Sequence, residues 1–224
     1  MNLNPLKPIK HLSLKETAYE NILKAITSGR FPPGSQITLS DLAQQLGVSL
    51  MPVREAVRKL EAGNLIHVRK NRRIIIKEYT PDELNELLQI RLKLELMATR
   101  KAVKNCTDET VKELERIQAE MNSAKDIEDY FEKNWIFHHT IYQTANMPIL
   151  EGIIKELWLR VSPFLHIYIA EVPNYKSYTK RTHGGMIRGL KKRNAKEVCK
   201  YLSLDLRHAA DLTTSLLKKR KNIT

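Results

Sequence analysis

The chain has 224 residues but only two cysteines, Cys106 and Cys199, and they form no CxxC motif. Disulfide-stapled secreted folds contain more cysteine, so we expect a cytoplasmic chain with reduced thiols. No apolar run approaches the roughly 18 residues of a membrane-spanning helix. Residues 1–14 also lack the continuous apolar core of a secretory signal. These absences predict a protein with no membrane partner.

Sequence patterns of catalysis are missing as well. We find no nucleophile–base pair, no glycine-rich phosphate loop and no general base placed beside the histidines. The length is also too short for a fused catalytic domain. We therefore predict that the chain is not an enzyme. A metal-dependent enzyme built on a helical bundle is the alternative from a different functional class.

Positive charge, by contrast, is abundant, with a formal net charge of +13. Residues 1–80 hold 13 lysines and arginines against 6 acidic residues, a net charge of +7 in the first third of the chain. A concentrated basic excess indicates a polyanionic partner such as nucleic acid. Simple solubility is the alternative explanation of the charge.

The N-terminal third shows a pattern of three short helices followed by a β-hairpin. The predicted elements are a helix after the capping box Ser13–Glu16, helices at about 40–46 and 50–62, and strands at 65–68 and 74–76 around the basic tip 69–73. Between the first two helices, the segment RFPPGSQIT is predicted to be a turn-rich connector.

From Thr80 onward the pattern is helical. Thr80 is a suitable N-cap, Pro81 suits the first helical position, and Glu83 completes a capping box. The predicted helices cover about 81–105, 108–123, 126–145, 148–171, 174–192 and 195–219. We therefore predict a mainly α protein with two domains, a basic unit with a hairpin at 10–78 and an all-helical bundle at 80–219.

The segment LAQQLGVSLMPVREAVRKLE predicts a helix-turn-helix. The apolar face of its second helix consists of Val53, Ala56, Val57 and Leu60. Leu50, Arg54 and Arg58 fall on the outward face, which enters the major groove in this type of domain. Ser49 is placed to cap the helix, where free amides can bind a DNA phosphate.

The basic hairpin after these helices is predicted to be a wing. Its DNA-contacting candidates are Lys70, Arg72 and Arg73. The alternative is an ordinary solvated helix and hairpin, with Arg54 paired to Glu55 and Arg58 to Glu61 on the surface.

These residues resemble a known family. The motifs GRxxPG, LAxxLGVS and PVREAxRxLE are similar to the winged-helix domain of the GntR transcription regulators. The helical remainder, with IRLKLE, FHHTIYQTANMPIL, ELWLR and THGGMIRGL, resembles the FadR-type effector domain, called the FCD domain. The resemblance implies that Arg54 and Arg58 contact DNA.

Three positions depart from the family pattern. Leu50 replaces a usual arginine, so it could touch a thymine methyl instead. Arg73 replaces a wing glycine, and Asn64 replaces another usual glycine. The operator sequence of relatives therefore should not transfer to this chain.

The resemblance also implies a divalent metal inside the helical domain. Many FadR-type domains bind it through one aspartate and three histidines, and the matching positions here are Asn134, His138, His183 and Asp205. Two imidazoles and two oxygen donors suit zinc, nickel or manganese, one ion per chain. His208 could substitute for Asp205. The alternative is a metal-free pair of buried histidines that hydrogen-bond to Asn134 and Asp205.

A metal in this position would bind a small carboxylate effector. Arg91 and Arg160 match family positions near the cavity and could pair with that carboxylate, although Arg91 could instead form an ion pair with Glu95. Another family type binds a fatty acyl thioester without metal. His139 and His166 are expected at the surface and in the packing, respectively.

The resulting functional hypothesis is a homodimeric transcription regulator that binds a palindromic double-stranded DNA operator. A small organic acid would change its operator affinity, and repression relieved by the ligand is the mode that the resemblance implies. A nucleic-acid-coating protein without an effector is the alternative, and it would bind DNA without sequence preference.

Overall fold

The computed structural model describes residues 13–69, 73–169, 172–173 and 175–221, and it divides the chain into two compact units. Gly34–Lys77 belongs to the first unit together with the chain up to Ile26. Thr27–Pro33 and the chain from Glu78 onward form the second unit. The domain bounds 10–78 and 80–219 stay a prediction.

The first unit consists of three helices and a small sheet. Its elements are α1 (Leu14–Thr27), β1 (Gln36–Thr38), α2 (Leu39–Leu46), α3 (Leu50–Ala62), β2 (Ile66–Val68) and β3 (Arg73–Ile76). The strands are antiparallel in the order β1-β3-β2. Strand β1 lies in the segment predicted to be a connector. It is a strand because Ile37 pairs with Ile74 of the distant β3.

Local capping explains where the short helices begin and end. Thr38 and Asp41 form a reciprocal capping box at the start of α2. Gly47 ends α2 with a left-handed backbone at φ 63°. After α3, Asn64 adopts φ 58°. Asparagine tolerates this conformation better than most residues, which explains how it can stand where relatives have glycine.

Every regular element described in the second unit is a helix. Its elements are α4 (Pro81–Asn105), α5 (Asp108–Asn122), α6 (Ile127–Thr144), α7 (Pro148–Ile169), α8 (Tyr175–Lys191) and α9 (Ala195–Lys221). The Thr80–Glu83 capping box forms as predicted, with Pro81 in the first turn. The predicted fold class, mainly α with a small hairpin wing, is confirmed. None of the described helices has the length and apolarity needed to cross a membrane.

Two apolar clusters fill this unit. One contains Phe137, Met186 and Leu202, and the other contains Phe131 and Tyr175. Along α6 and α8, polar residues occupy the turns between these clusters, and they include Asn134, His138, Thr179 and His183. The helices therefore bring a buried polar layer together inside an otherwise apolar interior.

Two glycines let α8 approach α9 closely. A Cβ at Gly185 would lie 2.3 Å from the Tyr201 ring, and one at Gly189 would lie 2.7 Å from Val198. Helix α8 continues without a break through Gly184 and Gly185. The close packing at Gly185 and Gly189 brings His183 of α8 within reach of Asp205 of α9.

Candidate functional site

Helix α3 has the two faces that the sequence predicts. Val53, Ala56, Val57 and Leu60 are buried against the rest of the first unit. Leu50 and Met51 are exposed by 45% and 65%, and Arg54 is also exposed. Large apolar side chains that lie beside an arginine on an exposed helix face can contact a base pair, including the methyl group of thymine.

The start of α3 differs from expectation in one detail. Ser49 occupies the N-cap with an extended backbone, but its hydroxyl makes no capping hydrogen bond. The amides of the first turn and the hydroxyl are therefore not paired with each other. Both can donate to a phosphate oxygen, because helix N-termini attract anions.

The acidic residues of α3 have different partners from those expected. Arg58 donates to Glu55 at 3.0 Å, in an exposed i,i+3 pair. Glu61 instead accepts a hydrogen bond of 2.8 Å from the backbone N–H of Val68 in β2. The Arg58–Glu61 pairing that we considered is therefore wrong. Glu61 ties the wing to α3, a role that sequence spacing did not indicate.

The wing candidates divide between described and undescribed residues. Arg73 lies in strand β3 and not in the tip, and its guanidinium donates to the Gln36 side chain at 3.3 Å. Lys70 and Arg72 lie outside the described residues. Their contact with DNA stays a prediction.

In the helical unit, three of the four candidate metal ligands converge. Ligand atoms of His138, His183 and Asp205 all lie within 4.8 Å of one another, and all three residues are buried. His138 Nε2 lies 3.2 Å from Asp205 Oδ2 and also 3.2 Å from His183 Nε2. Residues separated by up to 67 positions in sequence therefore direct their donors toward one point.

These distances match those of a metal centre. Zinc–nitrogen bonds of about 2.0–2.1 Å in a tetrahedral site separate neighbouring donors by about 3.3 Å. The measured separations of 3.2 Å from His138 to its two neighbours are close to that value. Two imidazoles and a carboxylate also form a donor set suited to zinc, nickel or manganese. The residues present therefore fit a divalent cation.

Asn134 and His208, the other two candidates, differ in placement. Asn134 lies one turn before His138 on α6, and its buried Oδ1 has no hydrogen-bond partner among the described residues. A buried unpaired carbonyl oxygen is costly, so it is available for a ligand. His208 is partly exposed and stacks on Tyr178, with ring centroids 3.8 Å apart. His208 therefore packs on Tyr178 and is not among the converging donors.

Burial controls the ionisation of the cluster. It lowers the pKa of His183 to about 3, so this imidazole is neutral. Burial by itself would raise the pKa of Asp205, but the hydrogen bonds from His138 and Thr182 and the electrostatic interaction with the two imidazoles outweigh it and lower that pKa. Asp205 is therefore an anion, and a neutral imidazole with a carboxylate is the protonation state that binds a metal.

The two arginine candidates lie in different surroundings. Arg91 donates to Glu95 at 2.7 Å, and both side chains are buried. Tyr142 donates to the other oxygen of Glu95, and its hydroxyl lies 3.5 Å from His138 Nδ1. Arg160 lies on α7, close enough to Tyr79 for its charge to oppose the burial that raises the pKa of that phenol. Effector contact by either arginine stays a prediction.

Two residues that contact the cluster were not predicted from the sequence. Gln118 of α5 lies 2.7 Å from His183 Nδ1, and Thr182 donates to Asp205 Oδ1 at 2.6 Å. Thr182 precedes His183 in sequence, so it could have been considered. No local pattern could have found Gln118, because it lies 65 positions from its partner.

The remaining histidines lie outside the cluster. His139 is bound to Glu151 at 2.8 Å and is partly buried, so the expected surface position is only partly correct. His166 is buried against Phe131, with ring centroids 4.1 Å apart, which is the packing role expected. Burial lowers the pKa of His166 to about 4.

A winged helix-turn-helix followed by an all-helical unit is the architecture of a class of DNA-binding proteins. Two family models match: bacterial regulatory proteins, gntR family, over residues 14–76, and the FCD domain over residues 86–208. The chain belongs to the GntR family of transcription regulators and carries an FCD domain. It is a DNA-binding regulator and not an enzyme.

Individual relatives agree with this assignment. The chain is 35% identical to the transcriptional regulator McbR of Escherichia coli over 169 residues, which cover 74% of this chain and 76% of that protein. It is 27% identical to the gluconate operon repressor of Bacillus subtilis over 171 residues, covering 73% and 68% of the two chains. The solved structure of E. coli McbR superposes with a TM-score of 0.83 at 27% identity and covers 94% of this chain and 100% of that one.

Proposed function

We propose that this regulator is a metal-containing repressor of the FadR type, which acts in the cytoplasm as a homodimer on a palindromic operator. A small organic acid would bind the helical unit and change operator affinity. The convergence of His138, His183 and Asp205 at donor distances of a metal centre carries the proposal. The unpaired Oδ1 of Asn134 supports it as a fourth oxygen donor.

Different residues of the helical unit would bind the cation and orient the effector. His138, His183 and Asp205 hold the cation, and Asn134 completes the set or orients a ligand. A bound divalent cation supplies a Lewis-acidic position that a carboxylate oxygen can occupy. The gluconate repressors among the relatives are named for a sugar-acid operon, which supports an organic acid as the ligand class.

In the DNA-binding unit, Arg54 and Arg58 would contact guanine or phosphate in the major groove, while Leu50 and Met51 would contact a thymine methyl. Ser49 and the wing residue Arg73 would contact phosphates. Exposure of the outward face of α3 supports this assignment. The effector acts by binding one arrangement of the dimer more tightly than the other.

The decisive experiment is elemental analysis of purified protein without a tag, combined with operator binding. We expect about one divalent metal per chain, lost on His138→Ala or His183→Ala. A panel of small carboxylates should then change operator affinity in the wild type and not in these variants. Full metal content in either variant would contradict the ligand assignment.

A wild type that binds no zinc, nickel or manganese would exclude the metal site. The effector would then have to be recognised by hydrogen bonds and arginines, and acyl thioesters would be tested next. In either case, Arg54→Ala should weaken operator binding without changing metal content. This variant separates the DNA-binding part of the proposal from the effector part.

A further inference from the structure

The Gln118 side chain, on α5, contacts the buried histidine cluster without belonging to its donor set. Its Oε1 lies 2.7 Å from His183 Nδ1, and its Nε2 donates to the Asn122 side chain at 3.0 Å. The residue is 9% exposed, so water competes little for these bonds.

In the structure, the Gln118 amide is oriented with its nitrogen toward Asn122 and its oxygen toward the histidine. An amide has one donating and one accepting end, and the donating end is occupied by Asn122 Oδ1. The accepting oxygen therefore points at His183, and His183 Nδ1 must carry the proton of that hydrogen bond. In a neutral imidazole the other nitrogen, Nε2, is then an unprotonated acceptor.

Ring stacking determines where that nitrogen points. The His183 ring lies parallel to Phe137, with centroids 3.9 Å apart and 3° between the planes. The ring is fully buried, so a flip would break the Gln118 bond with no water to replace it. Nε2 therefore stays 3.2 Å from His138 Nε2, at the centre of the cluster.

We propose that Gln118 is a positioning residue that holds His183 in the Nδ1-protonated tautomer, so that its Nε2 lone pair faces His138 and Asp205. The consequence for metal binding rests on the metal site proposed above. Hydrogen bonds to the second nitrogen of ligating histidines typically raise metal affinity about 10–100-fold.

Tyr142 provides an internal comparison. Its hydroxyl lies 3.5 Å from His138 Nδ1, longer than an ordinary hydrogen bond, and it donates to Glu95. Loss of this hydroxyl should therefore affect His138 less than loss of Gln118 affects His183. Tyr142→Phe is expected to reduce metal affinity by less than Gln118→Leu.

The test uses the 224-residue chain, four variants that probe the proposal, and His183→Gln for assignment of the NMR signal. Gln118→Leu removes the acceptor at similar size, Gln118→Glu keeps an acceptor, and Tyr142→Phe provides the comparison. Gln143→Leu changes an exposed glutamine on α6 as the matched control. Circular dichroism and tryptophan fluorescence confirm folding. If Gln118→Leu does not fold, Gln118→Glu still tests the proposal, because it keeps the acceptor and should therefore keep His183 protonated on Nδ1.

Two readouts are measured. Nitrogen-15 NMR of the metal-free protein identifies the protonated ring nitrogen of His183, with the signal assigned from a His183→Gln variant. Competition with a chromophoric chelator gives the affinities for Zn²⁺ and Ni²⁺. We expect Nδ1 protonation in the wild type, Gln118→Glu and Gln143→Leu, with a mixture or the other tautomer in Gln118→Leu. We also expect a metal affinity about 10–100-fold weaker in Gln118→Leu alone.

The outcomes separate the two proposals. Protonation of Nε2 in the wild type, or an unchanged tautomer in Gln118→Leu, would overturn the role of Gln118 even if the wild type binds metal. Failure of the wild type to bind metal, with the expected tautomers, would support the role of Gln118 and exclude the metal site.

Discussion

Two ion pairs of similar local geometry show how differently the two units use charge. Arg58 and Glu55 form an i,i+3 pair on α3 at 3.0 Å, and their side chains are 69% and 44% exposed. Arg91 and Glu95 form an i,i+4 pair on α4 at 2.7 Å, and their side chains are 6% and 0% exposed. Exposure is the main difference between them.

Because of this difference in exposure, breaking the Arg58–Glu55 pair should cost little stability, whereas breaking the Arg91–Glu95 pair should cost much. Exposed pairs contribute about 0.2–1 kcal/mol, so Arg58 can exchange Glu55 for a phosphate at little cost. The loss of one partner of a buried pair leaves an uncompensated charge. The exposed face of α3 should therefore tolerate substitution with little loss of stability, whereas substitution of Arg91 or Glu95 should destabilise the helical unit.

The largest predicted effect is the loss of one acid from each pair. Glu95→Ala should lower the free energy of unfolding by about 3–5 kcal/mol, because Arg91 remains buried without a partner. Glu55→Ala should change it by less than about 1 kcal/mol. Urea denaturation followed by fluorescence suits the first variant, since both tryptophans, Trp135 and Trp158, lie in the helical unit. Circular dichroism suits the second. Equal losses of unfolding free energy in Glu95→Ala and Glu55→Ala would show that burial does not distinguish the two ion pairs.

Acid sensitivity should also be concentrated in the helical unit. Burial holds the pKa of His166 at about 4, below the unfolded value of about 6.5, so the unfolded chain binds more protons as the pH falls. The contribution of His166 to stability, which is fully present above pH 6.5, should decrease by about 3 kcal/mol on going to pH 4.

His166→Phe should make the acid slope of the urea-denaturation free energy, measured from pH 7 to pH 4, shallower by the His166 contribution. Buried His183, whose pKa is about 3, maintains part of that slope. His67→Gln changes a histidine that is 70% exposed in the wing and serves as the control. A slope in His166→Phe as steep as that of the wild type would assign the acid sensitivity to other groups.

Close helix packing gives the next effect in size. Gly185→Ala places a Cβ 2.3 Å from the Tyr201 ring, so α8 must move away from α9. We expect a loss of about 1–3 kcal/mol and a weaker metal site, because His183 and Asp205 lie on these two helices. Gly184→Ala is the matched control, since its nearest neighbour is the Arg188 side chain at 3.9 Å. Thermal melts and metal titration of both variants measure the difference.

The smallest predicted effect concerns the wing. Glu61→Ala removes the acceptor for the Val68 N–H and should cost about 1 kcal/mol, because this bond lies in an exposed region. Operator affinity should decrease as the wing loses its fixed position. Glu61→Gln keeps a carbonyl acceptor and should restore most of the binding in a mobility-shift titration. Full binding by Glu61→Ala would show that the wing does not need this bond.

The helices of this protein were predictable because their signals are local. Thr80, Pro81 and Glu83 define the start of α4 within four positions, and the apolar spacing of α3 predicts its buried face. Strand β1 was not predictable in this way. Its three residues show no alternation of burial, and they form a strand only through pairing with β3.

The candidate site shows the same division. The spacing of Asn134 and His138 places them on one helix face, and family resemblance added His183 and Asp205. Nothing in the sequence indicated Gln118 as a partner of His183, or predicted that Glu61 would bond to the wing. These contacts depend on how separate helices and strands pack.

The sequence by itself determined the class of this protein: a basic helix-turn-helix followed by an all-helical effector domain. Helix caps, apolar periodicity and family motifs depend on residues close together in sequence, so they can be recognised without knowing how the helices pack. Tertiary structure decided which polar side chains are buried together. His138, His183 and Asp205 meet because glycines let α8 approach α9, and the protonation of His183 depends on a glutamine from another helix. Such contacts join distant parts of the chain, and only the fold brings them into hydrogen-bonding range.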